Sequence, residues 1–333
     1  MKALVEIVVV NWNSGAQLRR CLDSMQQASR EGLELARVVV VDNASSDGSA
    51  ERLDFPDLPL EVIRNTSNRG FAAGCNQGVR GSRADYLLFL NPDTALERNS
   101  VAAPIAFLER PENAHIGICG VRLVDEGGRV SRSCARFPTP GHLAGRCVGL
   151  DRLFPRLFPD HFLSEWDHGE SRVVDQVMGA FFLVRRGVFA LLGGFDARFF
   201  VYFEELDFSY RAQQAGFSSY FLATTQAMHR GGGCSEQVKA VRLFYALRSR
   251  ILYSYKHFGW VPATGVLLAT LLGEPFSRVM LAAAHGSLRE MRETLRAYGM
   301  LWRNLPSLGR QVKALRNPKI PTTSRLNKEW AVK

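Results

Sequence analysis

Short β-branched runs alternate with longer mixed segments through the first 110 residues of the chain. Residues 7–10, 38–41 and 86–90 are continuous apolar runs with the length of buried strands, and residues 16–28 have the spacing of a helix. Strands that alternate with helices form βαβ units with parallel pairing and right-handed crossovers. The pattern therefore predicts an α/β domain built around a mostly parallel sheet.

The alternation continues along the chain with one interruption. Residues 70–81 are rich in small side chains and predict a helix opened by a glycine turn, and regular structure returns at residues 179–184 and 206–215. Residues 125–170, in contrast, carry prolines spaced among aromatic residues. This composition predicts a long insertion on the substrate side of the domain that is able to move.

From about residue 242 the periodicity becomes that of amphipathic helices, with arginine and lysine between the apolar positions. The apolar positions are Leu243, Leu247, Ile251, Tyr255 and Phe258 in a first helix and Leu288, Met291, Leu295, Tyr298 and Trp302 in a second. We therefore predict two parts, an α/β domain at residues 1–240 and an amphipathic helical region at residues 241–333.

No window of the sequence reaches the roughly 18 uncharged apolar residues that a membrane-spanning helix needs. The nearest is residues 262–273, which Glu274, Pro275 and then Arg278 bring to an end. This run is predicted to be too short to span, which leaves open a re-entrant or interfacial element. The apolar run at the N-terminus contains Glu6 and no small-residue cleavage site, so it predicts a first core strand rather than a signal peptide.

Charge is distributed unevenly along a chain whose composition, 46% hydrophobic and 22% charged, is that of a folded globular protein. The formal net charge is +10, and residues 242–333 hold 16 Lys or Arg against 4 Asp or Glu. The basic excess therefore belongs to the C-terminal part and favours an anionic membrane surface as its partner. Nucleic acid is disfavoured because no nucleic-acid-binding motif accompanies the charge. A solvated basic face docked on the first domain is the alternative.

Polar side chains follow three predicted strands at the point where each strand ends: Asn11, Asp42 with Asn43, and Asn91 with Asp93. Ligands bind outside the carboxyl ends of the strands in an open parallel sheet, so these side chains predict a binding crevice at one edge. One such residue is a common helix cap, but three together favour the crevice. The sequence has neither G-x-G-x-x-G after the first strand nor a P-loop, which argues against a dinucleotide-binding or P-loop domain.

Two acidic segments and one histidine carry candidate chemistry. The carboxylate of Asp93 can hold a divalent cation together with substrate phosphates, although an Asn-Pro turn capped by the aspartate explains it equally. Glu204, Glu205 and Asp207 crowd negative charge, which raises carboxyl pKa values and suits a general base. Acidic residues are also favoured at a helix N-terminus. His229 precedes a triple glycine and is either a site residue or a structural histidine.

The order of these segments resembles the family-2 inverting glycosyltransferases with the GT-A fold, over about residues 4–235. The matching segments are VVVNWN at 8–13, VDNASSDGS at 41–49, NRGFAAGCN at 68–76, LNPD at 90–93, and GGFD at 193–196 leading into 203–207. The most similar branch contains bacterial rhamnosyltransferases and related enzymes that build surface polysaccharides on lipid carriers. The resemblance implies a GT-A α/β fold, a Rossmann-like, mixed, mostly parallel sheet with flanking helices, followed here by a basic, membrane-associating helical part.

The resemblance also implies which residues bind the nucleotide-sugar donor. Asp42 would hydrogen-bond the nucleobase. The other implied donor-binding residues are Asn11 and Asn13 in the same pocket, Asn43, Arg69 and Asn76 near the nucleotide, and Asn91 with Asp93.

Catalytic and metal-binding roles follow from the same resemblance. Glu205 lies where the family usually places its catalytic aspartate, and Glu204 and Asp207 are neighbours that would orient or replace it. Asp93 matches the last position of the D-x-D metal motif, whose first aspartate is replaced by Asn91 in this chain. His229 matches a position that helps to bind the metal, and the implied cofactor is Mg²⁺ or Mn²⁺.

The implied function is metal-dependent, inverting transfer of a sugar to a lipid-linked glycan acceptor in cell-surface polysaccharide synthesis. L-rhamnose from dTDP-rhamnose is the favoured donor, and a UDP-sugar is the alternative. A catalytically silent, membrane-docked sugar-nucleotide-binding protein is a rival from another class. A nucleotidyltransferase is disfavoured because no glycine-rich, lysine-bearing loop follows the first strand. The six cysteines form no C-x-x-C pair, which fits a reducing compartment. The expected location is cytoplasmic, peripheral on the inner face of the cytoplasmic membrane.

Overall fold

The structure is a computed structural model that describes residues 2–231 and 238–316. The strands are β1 (Ala3–Asn11), β2 (Leu33–Asp42), β3 (Leu60–Arg64), β4 (Tyr86–Leu90), β5 (Thr94–Leu96), β6 (Ile116–Val124), β7 (Cys134–Ala135), β8 (Arg172–Val174), β9 (Gln176–Val177), β10 (Phe181–Arg185) and β11 (Ser218–His229). The helices are α1 (Ala16–Gln27), α2 (Phe71–Gly78), α3 (Ala102–Leu108), α4 (Pro140–Cys147), α5 (Leu150–Leu153), α6 (Arg186–Leu191), α7 (Glu204–Gln214), α8 (Lys239–His257), α9 (Trp260–Leu268), α10 (Glu274–Ala284) and α11 (Leu288–Arg316). A 3-10 turn at Pro111–Asn113 and a π-helical turn at Ala269–Gly273 accompany them. Cys234, two glycines of the triple glycine, and residues 317–333 of the predicted helical region lie outside the described residues.

The central sheet is mixed, with the order β3-β2-β1-β4-β10-β6-β11-β5 and with β8 also paired to β11. The strands β3, β2, β1 and β4 are parallel neighbours, whereas β10 is antiparallel to both β4 and β6. β11 is parallel to β6 and antiparallel to β5 and β8. The predicted mixed α/β sheet is therefore confirmed, and the carboxyl ends of β1, β2 and β4 lie at one edge.

The sheet is buried on both faces, which explains why residues 7–10 of β1 are continuously apolar rather than alternating. Ile7 and Val9 pack with Leu18 of α1 on one face, and Val8 packs in the cluster that contains Phe208 of α7 on the other. The sheet is thus held between α1 and α3 on one side and α2 and α7 on the other, which leaves the strand ends accessible to form a site.

The helix predicted after a glycine turn is present as α2, and Gly70 precedes it with φ 84°. A Cβ atom at Gly70 would lie 2.4 Å from the carbonyl oxygen of Phe200. The same carbonyl accepts a 2.6 Å hydrogen bond from the N–H of Phe71. Glycine is therefore required here both by the left-handed backbone and by the close approach of residue 200.

The segment 125–170 was predicted to be an irregular insertion able to move, but it contains β7, α4 and α5 and packs on the C-terminal helices. The hydroxyl of Ser277 donates a 2.8 Å hydrogen bond to the carbonyl of Cys147, and a Cβ at Gly273 would lie 2.7 Å from Val148. These contacts hold the end of α4 against the π-helical turn and α10, where small residues allow a close approach.

α9, the π-helical turn and α10 form one continuous helix, Trp260–Ala284. The apolar run ends at Glu274 and Pro275 in the sequence but the helix does not, so the prediction that this segment is too short to span is wrong by length and composition. Pro275 lies in the first turn of α10, where a missing N–H costs little, and Glu274 is neutralised by Arg250 and Arg278. By length and composition, this helix is long and apolar enough to cross a membrane. Its most apolar 18-residue stretch has a mean hydropathy of 1.4 and is 22% buried inside the protein.

The C-terminal helices share a hydrophobic cluster with the α/β domain. Phe199 and Leu206 pack there with Leu247 and Ile251 of α8 and with Tyr298 of α11. The division at residue 240 stays a prediction, and this shared cluster joins the two sides of it.

Candidate active site

Asn11 and Asp42 are direct neighbours at the carboxyl ends of β1 and β2. The Asn11 amide donates hydrogen bonds of 2.8 Å to Asp42 Oδ1, 3.1 Å to Ser45 Oγ and 2.9 Å to Ser49 Oγ. Asn11 is 0% exposed and Asp42 is 6% exposed. Asn11 is therefore buried and fixes the orientation of the Asp42 carboxylate, and its place in the donor pocket stays a prediction.

The loop after β2 is tied to the loop after β1. The Asn13 side chain accepts a 2.8 Å hydrogen bond from the N–H of Ser46, and the N–H of Gly15 donates a 2.7 Å hydrogen bond to Asp47. Burial acts to raise the pKa of Asp47, but hydrogen bonds from Ser49 and from backbone N–H groups lower it below its usual range. Asp47 and the serines were not predicted as site residues, although they stand in the quoted segment 41–49.

Asn43 is buried and holds the loop that carries Arg69. Its amide donates 3.1 Å to the carbonyl of Gly70, and its Oδ1 accepts 2.9 Å from the Asn65 amide. The Arg69 side chain is exposed and makes no hydrogen bond or ion pair within the described ranges. It is therefore a charged side chain near this edge that is available to an anion.

The Asn76 side chain contacts the glycine turn between α6 and α7, and its place near the nucleotide stays a prediction. Its amide donates 2.7 Å to the carbonyl of Phe195, and its Oδ1 accepts 2.9 Å from the N–H of the same residue. A Cβ at Gly194, which has φ 77°, would lie 2.6 Å from Asn76 Oδ1. Both halves of the amide are thus committed to the glycine turn before α7, so Asn76 is a structural clamp.

Asp93 and His229 meet where the turn after β4 pairs with the end of β11. Asp93 Oδ1 lies 3.3 Å from His229 Nε2, and the two side chains are 9% and 11% exposed. The neighbouring Asn91 is half-buried, and its backbone N–H donates 3.1 Å to the carbonyl of Ala180. The sheet register therefore brings together the two residues predicted to bind metal.

This pair fits a divalent cation as a two-donor site. Adjacent ligands of an octahedral Mg²⁺ or Mn²⁺ lie about 3 Å apart at bond lengths of about 2.1 Å, which agrees with the separation of Asp93 and His229. Within residues 2–231 and 238–316 no group of three or more His, Cys, Asp or Glu side chains surrounds a single point. An ion held here would therefore take its remaining ligands from water and from substrate phosphates.

Glu204 and Glu205 begin α7, directly after Phe203 in a left-handed conformation with φ 71°. Burial raises the pKa of both carboxyls, and for Glu204 the adjacent charge of Glu205 adds to it. The Oε2 atom of each is buried without a hydrogen-bond partner among the described residues. Glu205 Oε1 lies 3.5 Å from where a Cβ of Gly179 would be, beside the Ala180 carbonyl that anchors Asn91. Glu205 is thus at the same strand edge as Asp93.

Asp207 belongs to a different environment from the two glutamates. It is 0% exposed, and it contacts Arg211 Nε at 2.8 Å, Lys256 Nζ at 2.5 Å and His257 Nε2 at 2.8 Å. Burial alone would raise the pKa of Asp207, but the His257 hydrogen bond and the charges of Arg211 and Lys256 hold it well below its usual range. A carboxylate so occupied is a poor base, so the expectation that Asp207 replaces Glu205 is not supported. It connects α7 to α8.

The comparisons with known proteins agree with this fold. The model of the family described as "Glycosyl transferase family 2" matches residues 6–189. The N-acetylglucosaminyl-diphospho-decaprenol L-rhamnosyltransferase of Mycobacterium tuberculosis is 26% identical over 309 residues, which cover 89% of this chain and 98% of that protein. The rhamnosyltransferase WbbL of Escherichia coli K12 is 28% identical over 165 residues, 49% of this chain and 59% of that protein. The mannosyltransferase PcManGT of Pyrobaculum calidifontis, solved with GDP-Man and Mn²⁺, superposes with a TM-score of 0.52 at 18% identity and covers 95% of this chain and 86% of its own.

Proposed function

Because this chain belongs to glycosyl transferase family 2, we propose that the strand edge formed by β1, β2 and β4 binds a nucleotide-diphosphate sugar and that Glu205 activates the acceptor. The observation that carries the proposal is the location of Glu205. Its carboxylate has a raised pKa, a buried oxygen with no hydrogen-bond partner among the described residues, and a place beside the turn that carries Asp93, which His229 of β11 approaches.

The donor would be oriented by groups that are already fixed. Asp42, held by Asn11, would accept a hydrogen bond from an N–H of the nucleobase. Asn13 would keep the loop of residues 43–49 in place, and Asn43 would do the same for the loop that carries Arg69. The guanidinium of Arg69 would then face the diphosphate, with which it can form charge-assisted hydrogen bonds. Preorganised groups lose little entropy when the donor binds.

Asp93 and His229 would hold the divalent cation, with Asn91 as the uncharged neighbour of the acidic position. When bound, Mg²⁺ or Mn²⁺ neutralises negative charge that develops on the diphosphate. Two protein ligands leave most of the coordination sphere to the donor, so donor binding is expected to depend on the metal.

In the reaction, Glu205 would take the proton of the acceptor hydroxyl as its oxygen attacks the anomeric carbon. The new glycosidic bond forms as the bond from that carbon to the nucleotide diphosphate breaks, and attack from the opposite face inverts the anomeric configuration. A raised carboxyl pKa makes Glu205 a stronger base than an exposed glutamate. Glu204, buried beside it, would orient Glu205. The pKa of Glu204 is itself raised, by burial and by the charge of Glu205.

For the substrates, we propose dTDP-rhamnose as the donor and a polyprenyl-diphosphate-linked sugar as the acceptor. The support is the relative from Mycobacterium tuberculosis, whose name states both a rhamnosyl transfer and a decaprenol-diphosphate carrier. A UDP-sugar is the second candidate for the donor. Such an acceptor lies at the membrane, so the enzyme would be peripheral on the inner face of the cytoplasmic membrane, with residues 1–240 carrying catalysis and residues 241–333 the membrane contacts.

Calorimetric titration with dTDP, UDP and GDP, each with Mn²⁺ and with EDTA, tests the donor site. We expect tight binding of one nucleotide that needs the metal, that Asp93→Ala weakens, and that the exposed control Asp23→Ala on α1 leaves unchanged. No binding of any nucleotide would refute the proposed donor site.

Turnover of Glu205→Gln tests the base. Loss of a general base lowers rates by about 10²–10⁴-fold, while donor affinity should be retained. The replacement of family aspartates by Asn91 and Glu205 favours one rival, a catalytically silent sugar-nucleotide-binding protein. Donor binding with no transfer to any lipid-linked acceptor, in wild type as in Glu205→Gln, would favour that rival.

A further inference from the structure

The helix Trp260–Ala284 exposes a continuous apolar edge and buries polar side chains. Several of its large apolar side chains point outward: Val261 is 84% exposed, Leu272 71% and Phe276 69%, and Leu268 and Met280 extend the same edge. Its buried residues include polar Thr270 and Glu274 beside Ala263 and Val266. Water normally selects the opposite arrangement, so the outer edge of this helix is suited to an apolar environment.

α11 packs on α10 and carries an exposed apolar stripe of its own, bordered by positive charge. Leu288, Leu295 and Trp302 recur every seven residues and are 63%, 57% and 55% exposed. Each is followed directly by an exposed arginine: Arg289, Arg296 and Arg303. Because successive helical residues are rotated by about 100°, the arginines form a stripe beside the apolar one. A face of apolar side chains next to a row of arginines complements the interface of a bilayer that contains anionic lipid.

The helix Trp260–Ala284 is also packed against the rest of the protein along its length. Glu274, near its middle, forms a buried ion pair with Arg250 of α8, and Arg250 also donates 3.0 Å to Thr270. The Ser277 hydroxyl bonds the carbonyl of Cys147 at the end of α4. A helix packed over its length on α4, α8 and α11 cannot cross a bilayer without drawing those elements, and the charged residues on them, into the hydrocarbon.

We propose that the helix Trp260–Ala284 lies in the plane of the membrane surface, with its exposed apolar edge among the lipid acyl chains and the α11 arginines at anionic headgroup phosphates. This orientation rests on the membrane location proposed above and deepens it. It distinguishes an interfacial helix from the transmembrane helix that length and hydropathy alone permit. It also assigns the anionic partner of the basic C-terminal part to phospholipid.

Cosedimentation of the full-length protein with vesicles tests the partner. We expect binding to vesicles of phosphatidylcholine with phosphatidylglycerol, weak binding to phosphatidylcholine alone, and release at high salt. Replacing Leu272 with Asp should weaken binding about tenfold or more, because a large apolar group leaves the acyl region. The matched control is Leu191→Asp on α6, which is also exposed, at 54%, and should bind as wild type.

A second pair of variants tests the arginines. The triple change of Arg289, Arg296 and Arg303 to glutamine should weaken binding to the anionic vesicles by about fivefold for each arginine. The control replaces Arg83 and Arg110, which are exposed on the α/β domain, with glutamine, and this variant should bind the vesicles as the wild type does.

Depth measurements separate an interfacial helix from a spanning one. A fluorophore on Leu272→Cys, near the middle of the helix, should be quenched more by lipid nitroxides near the headgroup than by those at the bilayer centre. Strongest quenching by the deep nitroxide would overturn the proposal, because residue 272 would then be at the centre of a span. No vesicle binding, or self-association in solution that Leu272→Asp abolishes, would overturn it equally. Nucleotide titration without vesicles does not depend on these outcomes, so failure of this proposal and failure of the donor site are distinguishable.

Discussion

Asp207→Asn should destabilise the whole protein while leaving the shape of the side chain unchanged. Asp207 is fully buried and is the common acceptor for Arg211 on its own helix and for Lys256 and His257 on α8. The amide keeps the size but removes the charge that compensates these basic groups. Lys256 would retain a second partner, since its ammonium group also lies 2.7 Å from Asp196.

The expected magnitude follows from burial. Removing one partner from a buried ion pair costs about 3–5 kcal/mol, because the remaining charges stay desolvated, and Asp207 has three basic neighbours. The retained contact of Lys256 with Asp196 places the loss toward the lower end, at about 3 kcal/mol. The folded pKa of Asp207 is depressed, so its contribution is complete above the ordinary carboxyl pKa of about 4 and is lost as the pH falls toward the folded pKa. The difference between wild type and variant should therefore be full at pH 7 and shrink in acid.

Urea unfolding at pH 7 and at about pH 2.5, which lies between the ordinary carboxyl pKa and the folded pKa of Asp207, followed by circular dichroism, measures this difference. The matched control is Glu61→Gln, which removes a partner of Arg37 at a carboxylate that is 49% exposed and should cost less than about 1 kcal/mol. Equal, small losses for both variants, or a loss for Asp207→Asn that does not depend on pH, would refute the reasoning that this aspartate is the charged anchor between α7 and α8.

Three further changes test other parts of the structure. Burial raises the pKa of Glu204, so the stability that its protonated form gives is complete in acid and is lost as the pH rises through the folded pKa. Glu204→Gln should therefore raise the free energy of unfolding at pH 8 and change it little at pH 4. Gly70→Ala should destabilise by about 3 kcal/mol, measured by urea unfolding, because φ is positive and the new Cβ overlaps the Phe200 carbonyl. Asn76→Asp should cost about 1–3 kcal/mol in the same assay, because an acceptor replaces the donor that faces the Phe195 carbonyl.

Each of these three has an outcome that would contradict it. A stabilisation by Glu204→Gln that is the same at both pH values would show that charge is not the cause. For Gly70→Ala, the control is Gly81→Ala, where φ is also positive but no atom lies within 4 Å of the new Cβ; equal losses would mean that the contact with residue 200 is unimportant. Asn76→Asp with wild-type stability would mean that the clamp on the glycine turn is replaceable.

The elements of the α/β domain were predictable because their signals are local. Continuous apolar runs predicted β1, β2 and β4, because a strand that is buried on both faces has apolar side chains at successive positions. The glycine before α2 was recognisable for the same reason, because a left-handed residue is a property of one position. Residues 91 and 93 could likewise be assigned to the sheet edge from strand ends alone.

Features that depend on distant partners were not predictable. Glu274 ends an apolar run in the sequence, but Arg250, 24 residues earlier, neutralises it and lets the helix continue. Asn76 has a polar side chain of the kind that binds ligands. The fold brings the backbone of Phe195, 119 residues later, against both the NH₂ group and the oxygen of its amide. Asp207 and Glu205 are two positions apart on one helix, yet only the packing of α8 gives them opposite pKa shifts.

The order of the site along the chain has a consequence for how such enzymes diversify. The groups proposed to contact the nucleotide directly precede residue 94, whereas the cation ligand His229, the proposed base and the helices proposed to contact the membrane follow residue 203. Under the proposed function, an exchange of the loop at residues 43–49 would change the nucleotide that is used without altering the acceptor side. Donor and acceptor preference would then be separately inherited traits, which recombination within a single gene could bring together in new pairs.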